Sequence, residues 1–295
     1  MSRIHDALAR AQQQRTEVRP SQAEAAAVSE LQMPSLELHP AAETEAVDSD
    51  GWLANCTKAT WTLDPAKMMF VSDHPHSSYG REQFRTLRSR LFRAGHSAPL
   101  KRILVASALP REGRSFVAAN LAQALAQQHG SRVVLIDADL RSPSAHRYLG
   151  APPAPGMSEY LRGEAGESAV VQQGNVEGLW FVPAGQAGDN PVELLGSSRM
   201  PQFLDRLSPC FDWMVVDSSP AIPVSDATLL ARLCDGVVLV VAAGVTSQEM
   251  AWKTRAMFEG HTLLGVVLNR AADRFEGLAL RNGAGEEQKG PPSSG

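Results

Sequence analysis

From Leu100 onward the sequence alternates short, continuously apolar runs with helix-like segments, and this alternation limits the possible folds more than any other feature. The apolar runs are RILVAS, RVVLIDAD, LWFVPAG, WMVVDSS, GVVLVVAA and LLGVVLNR. Helix-like segments at 116–128, 199–207 and 247–259 separate several of them. Strands that are apolar on both faces are typical of parallel sheets covered by helices on each side. We therefore predict an α/β fold with a doubly wound, mostly parallel sheet.

The composition excludes several classes of protein. The 295 residues are 43% hydrophobic and 20% charged, which is typical of a soluble globular domain. A net charge of −4 with mixed signs predicts no nucleic-acid binding. The three cysteines are far apart in the sequence, so a cytoplasmic location is expected. The longest apolar run, at 236–245, is too short to cross a bilayer, so membrane association is expected only through a partner.

The regions outside the alternating pattern differ in composition. Residues 1–16 have apolar positions at helical spacing and predict a short amphipathic helix, which either frays or docks on another protein. Residues 17–77 are rich in Ala, Glu, Ser and Pro and are expected to form a flexible linker, so the N-terminal extension is mostly disordered. The folded domain is predicted to span 78–274, and 275–295 is expected to be a disordered tail.

The first apolar run leads into ALPREGRSF, at the position where a phosphate-binding loop lies in such folds. A Walker A loop has Gly-x-x-x-x-Gly-Lys-Ser/Thr, and the register here gives Ala108, Gly113, Arg114 and Ser115. Backbone N–H groups at the start of the following helix favour a phosphate, and the Ser115 hydroxyl is a candidate ligand for Mg²⁺. The sequence therefore predicts a P-loop-like nucleotide site that has arginine in place of the motif's lysine.

Three aspartates follow two of the other apolar runs. Asp137 and Asp139 close the run LIDAD, and Asp217 closes WMVVD. A single aspartate at a strand end is usually a helix cap or a turn residue. Buried carboxylates are costly unless they are paired or bind a metal, and three of them near a phosphate loop indicate a magnesium site. Asp137 and Asp139 are also candidate catalytic residues, as general base or metal ligand.

Several separate motifs resemble those of the bacterial tyrosine kinases, the BY-kinases of capsule and exopolysaccharide export. LIDADLR is similar to that family's second Walker motif, VVDSSP to its Walker B motif and EQFRTLR to its Glu-x-x-Arg-x-x-Arg helix. The resemblance covers about 78–272. It implies that the chain binds ATP and Mg²⁺, with the metal held by Ser115, Asp139 and Asp217. It also implies a membrane partner of the polysaccharide co-polymerase (chain-length determinant) type, which would hold the protein at the inner membrane.

The resemblance also assigns roles to further residues. Glu82, Arg85 and Arg88 are expected to join protomers into a ring, and Asn269 is expected to bind the adenine. Arg114 is expected to act in catalysis as well as in binding. The residues expected to hold the nucleotide phosphates are Pro110, Arg111, Glu112, Gly113, Arg114, Ser115 and Phe116.

Two departures from the family pattern predict weakened phosphoryl transfer. The family loop is usually Pro-Gly-Glu-Gly-Lys-Ser-Thr, and here Arg111, Arg114 and Phe116 replace its glycine, lysine and threonine. Lysine meets phosphate as a compact point charge, whereas arginine has a wider planar head group. The three tyrosines lie at 79, 148 and 160, so the tyrosine-rich tail of the family is not matched. We therefore expect a degenerate regulatory subunit that still binds nucleotide.

Two other functions stay open at this point. One is an active kinase that transfers the ATP γ-phosphate to tyrosines of other proteins. The other is a partition or positioning ATPase of the MinD/ParA type, which carries Lys-Gly-Gly-x-Gly-Lys-Thr. Leu109 stands where that motif has its first lysine, which disfavours this second interpretation.

Overall fold

The computed structural model describes residues 49–71, 75–97, 99–186, 188 and 190–271. The helix predicted at 1–16 and the tail predicted at 275–295 lie outside these residues. The helices are α1 (Ser49–Ala54), α2 (Pro75–Ser97), α3 (Arg114–Ala126), α4 (Ala145–Leu149), α5 (Met157–Arg162), α6 (Glu167–Val170), α7 (Pro191–Leu195), α8 (Arg199–Leu207), α9 (Asp226–Ala231) and α10 (Gln248–Met257). The strands are β1 (Thr57–Lys58), β2 (Arg102–Ser107), β3 (Val133–Asp137), β4 (Gln172–Gln173), β5 (Leu179–Val182), β6 (Trp213–Asp217), β7 (Gly236–Ala242) and β8 (Leu263–Asn269).

The strands of the described residues form one sheet in the order β1-β4-β5-β3-β6-β2-β7-β8. Every neighbouring pair is parallel except β4 and β5, which are antiparallel. Parallel neighbours need crossover connections, and the helices between the strands provide them. The predicted doubly wound, mostly parallel α/β fold is therefore confirmed.

Both faces of the sheet are buried, which explains why its central strands are apolar throughout. Along β2, Ile103 and Val105 lie in one buried cluster, whereas Leu104 and Ala106 lie in another. Successive residues of a strand point to opposite faces, so these two clusters occupy the two sides of the sheet. Every residue of α3 except Phe116 is buried, which places this helix within the layer that covers one side.

Residues 49–71 correct part of the linker that was predicted for 17–77. They form α1 and β1, and β1 pairs with β4 at one edge of the sheet. The side chains of Trp61 and Met68 are buried in the same cluster as α3. The composition did not reveal this because a few apolar residues without helical or strand spacing make the contacts.

The helix bounds agree with the predicted ones to within a few residues. The helix predicted at 199–207 is α8, whereas the one predicted at 116–128 begins at Arg114 because Gly113 supplies a left-handed turn immediately before it. Within the described part of the chain, no helix combines the length and the apolar character needed to span a membrane.

Candidate functional site

Asp137 and Asp217 lie side by side at the carboxyl edge of the sheet. They end the neighbouring strands β3 and β6, whose register pairs one residue with the other, and both are fully buried. The adjacent strand β2 ends at the same edge, since Val105 pairs with Asp217. Ligands of doubly wound folds bind at this edge. The fold therefore brings the phosphate loop, defined here as residues 108–113 between β2 and α3, beside two of the predicted carboxylates.

The phosphate loop turns sharply into the start of α3. Pro110 and Arg111 are exposed at its tip, and Arg111 has a φ of 65°. A left-handed backbone costs a residue other than glycine about 1–2 kcal/mol. Gly113, with a φ of 91°, immediately precedes the helix. The free N–H groups of the first turn of α3 form an end of the helix that attracts anions.

The carboxylate of Glu112 holds the loop from the inside. It is buried, and its Oε2 accepts a hydrogen bond of 2.8 Å from the backbone N–H of Leu109. Its other oxygen accepts a hydrogen bond from the hydroxyl of Thr246. Glu112 was predicted to hold the nucleotide phosphates, and the structure places its side chain in the wall that supports the loop. Thr246 was not among the predicted site residues, because it follows β7 in a turn and has no motif to mark it.

The end of β8 holds the loop from the outside. Asn269 donates a hydrogen bond of 2.9 Å from Nδ2 to the carbonyl of Glu112, and its Oδ1 accepts one from the N–H of Arg270. The guanidinium of Arg270 donates a hydrogen bond of 2.6 Å to the carbonyl of Arg111. The structure therefore places Asn269, the predicted adenine ligand, directly against the phosphate loop. The strand-end position of Arg270 was the one signal that could have identified it as a site residue.

Arg114 extends beneath the loop into the carboxylates. Its Nε lies 3.0 Å from Oδ1 of Asp217, and its Nη2 lies 2.6 Å from Oδ2 of Asp139. Its Nη1 lies 3.2 Å from the hydroxyl oxygen of Ser107. The Arg114 side chain is only 7% exposed, so these are buried, charge-assisted hydrogen bonds. The arginine that replaces the motif's lysine thus joins two of the three predicted carboxylates.

Asp137 lies at the start of α4 and is bound by backbone N–H groups. Its Oδ2 accepts hydrogen bonds of 3.2 Å and 3.0 Å from Ser144 and Ala145, and its Oδ1 accepts one of 3.2 Å from Asp139. Burial, and then the neighbouring carboxyl of Asp217, hold the pKa of Asp137 well above its ordinary value. These contacts are those of a residue that caps a helix and shapes the loop after β3.

Asp217 is fully buried, like Asp137. Burial raises its pKa, although the charge of Arg114 acts in the opposite direction. Its second oxygen, Oδ2, is buried, and a hydrogen bond from the Ser115 side chain to the Asp217 carboxylate also acts against the rise in pKa. Ser115, the other predicted metal ligand nearby, accepts a hydrogen bond of 2.8 Å from the hydroxyl of Ser144.

The donor atoms predicted for Mg²⁺ are the right chemical type, but their arrangement does not fit a bound ion. Asp139 and Asp217 each have one carboxylate oxygen paired with the guanidinium of Arg114. The second oxygen of Asp217 is fully buried, whereas Mg²⁺ usually keeps several water ligands. Among the residues that the structure describes, no group of three or more His, Cys, Asp or Glu side chains is placed to hold a metal.

Phe116 packs between α2 and α4. Its ring centre lies 5.8 Å from that of Phe84 and 6.4 Å from that of Tyr148. A cavity of about 430 Å³ lies beside it, between α2 and β8, and its wall includes Leu268 and Asn269. The phenylalanine that replaces a family hydroxyl therefore lines a cavity next to the phosphate loop.

The residues predicted to act in self-association have two different environments. Glu82 and Arg85 are exposed on α2 and form an ion pair of 3.4 Å with each other. Arg88 instead donates a hydrogen bond of 2.8 Å to the carbonyl of Ala124 near the end of α3. It therefore contributes to packing within its own domain.

A second ion pair, which is half-buried and which the predicted site did not include, joins the loop after β3 to the start of α9. Arg141 donates hydrogen bonds of 2.7 Å and 3.1 Å to the two carboxylate oxygens of Asp226, which is fully buried in the first turn of α9. The hydroxyl of Ser219 donates a third, of 2.9 Å. This pair fixes the loop that follows Asp217.

Comparison with known proteins agrees with this geometry. Residues 103–295 match the family described as CobQ/CobB/MinD/ParA nucleotide binding domain. Tyrosine-protein kinase YwqD of Bacillus subtilis (strain 168) is 35% identical over 194 residues, which cover 65% of this chain and 81% of that protein. The chain belongs to the bacterial tyrosine kinase (BY-kinase) family.

Other BY-kinase relatives extend the comparison. The succinoglycan biosynthesis transport protein ExoP of Rhizobium meliloti (strain 1021) is 35% identical over 208 residues, which cover 68% of this chain and 26% of that protein. The crystal structure of the chimerical protein CapA2B2 superposes with a TM-score of 0.65 at 28% identity. That match covers 77% of this chain and 99% of CapA2B2.

Proposed function

We propose that this protein is a nucleotide-binding, kinase-like subunit of exopolysaccharide or capsule biosynthesis in which phosphoryl transfer is weak or lost. The observation that carries the proposal is the position of Arg114. In P-loop enzymes the loop lysine reaches the β- and γ-phosphates and stabilises the charge of the transferred group. Here the corresponding cation donates its hydrogen bonds to Asp139, Asp217 and Ser107. Its charge is therefore held beneath the loop.

Nucleotide binding is supported by the loop and by the family. The first turn of α3 presents free N–H groups after Gly113, and a phosphate is the natural ligand of such a helix end. The cavity next to Asn269 has the size of a small-ligand site and adjoins the loop. We propose that ATP binds with its phosphates at the loop and its base in this cavity.

Weak transfer follows from the charges and from the lack of a free base. Phosphoryl transfer depends on positioning and on electrostatic stabilisation, which the motif's lysine supplies at the transferred group. Asp137 is fully buried and both of its oxygens accept backbone hydrogen bonds, so it is poorly placed to take a proton from an acceptor hydroxyl. The two oxygens of Asp139 accept hydrogen bonds from Arg114 and from the N–H of Ser142.

The tyrosines of the sequence are poor phosphate acceptors where the structure places them. Tyr160 is 4% exposed, and Tyr148 is half-buried against Phe116. Tyr79 is 42% exposed but lies within α2. A kinase site accepts a hydroxyl that can reach the γ-phosphate, and a tyrosine inside a regular helix is restricted in its approach. Self-phosphorylation is therefore not expected to be the main activity.

The biological setting of the proposal comes from the relatives. ExoP carries succinoglycan biosynthesis transport in its name, and it is similar to this chain over most of the chain's length. We propose that the protein works beside a membrane co-polymerase, is peripheral to the inner membrane through that partner, and self-associates through the α2 face that carries Glu82 and Arg85.

The second candidate function is an active kinase that phosphorylates tyrosines of other proteins. One observation favours it: the complete set of family carboxylates, Asp137, Asp139 and Asp217, is present at one edge of the sheet. In this case nucleotide would have to draw Arg114 away from Asp139 and Asp217 and toward the phosphates.

Incubation with γ-labelled ATP, Mg²⁺ and the cytoplasmic part of the membrane partner separates these two functions. We expect little phosphotyrosine on this chain or on an added tyrosine-containing substrate, and more with Arg114→Lys, because lysine meets phosphate as a point charge. YwqD serves as the positive control, and Arg206→Lys, an exposed arginine paired with Glu167, serves as the matched substitution. Strong phosphotyrosine formation by the unaltered protein would overturn the degenerate assignment.

A further inference from the structure

We propose that this protein binds nucleotide without a divalent cation, because the guanidinium of Arg114 takes the place of Mg²⁺ among the carboxylates of the site. The inference rests on the nucleotide-binding part of the proposed function. It concerns how the site is neutralised and is separate from whether transfer occurs.

The first argument is the geometry of the guanidinium. Two of its nitrogens contact carboxylate oxygens that belong to different strand-end segments, at 2.6 Å for Asp139 and 3.0 Å for Asp217. A third nitrogen contacts Ser107 at the end of β2. Arginine presents its donors as a rigid planar fork, whereas the lysine ammonium is a single centre on a flexible chain. The arginine therefore bridges groups that a bound cation would otherwise have to join.

The second argument is enclosure. The side chains of Arg114, Asp139 and Asp217 are 7%, 3% and 0% exposed. A hydrated Mg²⁺ that took either of the carboxylate oxygens now bound to the guanidinium would break one of its two buried ion pairs. Breaking a buried ion pair is strongly unfavourable, so the internal cation is the preferred one.

The third argument is that the loop supplies its own charge for the phosphates. Arg111 and Arg270 are both exposed. Arg111 lies at the tip of the phosphate loop, and the guanidinium of Arg270 donates a hydrogen bond to the carbonyl of Arg111. Arginine forms strong, often bidentate, hydrogen bonds with phosphate. In the family loop the position of Arg111 is usually glycine, so one of these two positive charges is added by this sequence. These arginines provide the neutralisation that Mg²⁺ gives in related sites.

The test compares the affinity for fluorescent mant-ADP and mant-ATP in excess Mg²⁺ and in excess EDTA. For the unaltered protein we expect the two Kd values to agree within about threefold, which is about 0.65 kcal/mol. For Arg114→Lys we expect the affinity to fall at least about tenfold in EDTA, because the freed carboxylates then repel the phosphates unless Mg²⁺ is present. Arg206→Lys is the matched control and is expected to behave like the unaltered protein. Circular dichroism checks that each variant is folded.

A second measurement does not depend on any variant. The unaltered protein without nucleotide is titrated with Mn²⁺, and the paramagnetic resonance signal of the free ion is followed. We expect no stoichiometric binding, because Arg114 holds the carboxylates. Stoichiometric Mn²⁺ binding, or a loss of nucleotide affinity of about tenfold or more in EDTA, would overturn this inference alone. Absence of nucleotide binding in both conditions would overturn it together with the nucleotide-binding part of the proposed function.

Discussion

Asn269 closes over Gly113 so tightly that a Cβ atom at Gly113 would lie 1.9 Å from Nδ2 of Asn269. The two residues come from opposite ends of the domain sequence, and the contact joins the last strand of the sheet to the phosphate loop. The same amide nitrogen donates to the carbonyl of Glu112. The conformation of the loop therefore depends on β8 as well as on its own sequence.

Gly113→Ala is expected to lower mant-ADP affinity by about tenfold or more, because the new Cβ displaces Asn269 and the φ of 91° disfavours any other residue. Fluorescence titration measures the change. Adding Asn269→Ala removes the steric conflict but not the backbone strain, so the double variant should regain only part of the affinity. Full recovery would show that strain at Gly113 has no effect on binding.

Arg114→Met is expected to lower the free energy of unfolding by about 3–5 kcal/mol, because it leaves Asp139 and Asp217 buried without their cation. Urea unfolding followed by circular dichroism gives the value. The exposed Arg206, replaced in the same way, should change it by no more than about 0.5 kcal/mol. A loss below about 1 kcal/mol for Arg114→Met would contradict the buried ion pairs described above.

Arg111→Gly is expected to be more stable than Arg111→Ala by about 1 kcal/mol, because glycine adopts the φ of 65° without strain. This gain outweighs the stability that glycine loses through its greater entropy in the unfolded chain. Thermal unfolding of the two variants gives the difference. The comparison between glycine and alanine cancels the loss of the arginine side chain, which both share. Equal stability would mean that the loop relaxes when the arginine is removed.

Trp61→Ala is expected to lower the free energy of unfolding by about 3–5 kcal/mol, because the indole is 2% exposed and packs edge-on against Phe181 at 6.3 Å. The exposed Val71, replaced by alanine, serves as the control from the same segment. Urea unfolding distinguishes the packed segment from a flexible linker, for which both substitutions would have little effect.

Glu82→Ala combined with Arg85→Ala is expected to weaken self-association, because both side chains are exposed on α2 and bind each other in the described chain. Light scattering at several concentrations measures the mass. Arg88→Ala should instead lower stability, since Arg88 binds the carbonyl of Ala124. If the unaltered protein associates and the double variant has the same mass, the assignment of the α2 face with Glu82 and Arg85 is contradicted.

The sequence predicts the sheet well because its strands are buried on both faces and are therefore continuously apolar. It also identifies Asp137 and Asp217 as strand ends, and the parallel pairing of β3 with β6 then brings them together. It does not predict the direction of Arg114, because that direction depends on carboxylates 25 and 103 residues away in the chain. Motif matching assigns a residue to a position in a loop, whereas the partners of its side chain are set by the strands that meet there.

The packing of the 49–71 segment has a consequence for the order of events during synthesis. Lys58 and its partner Gln173 in the sheet are 115 residues apart, so the ribosome makes the first long before the second. At about 5–20 residues per second, this interval lasts roughly 6–23 s. During that time Trp61 has no Phe181 to contact. The edge of the sheet at β1 therefore forms well after its own residues have emerged, and until then Trp61 lacks the Phe181 contact that it has in the folded protein.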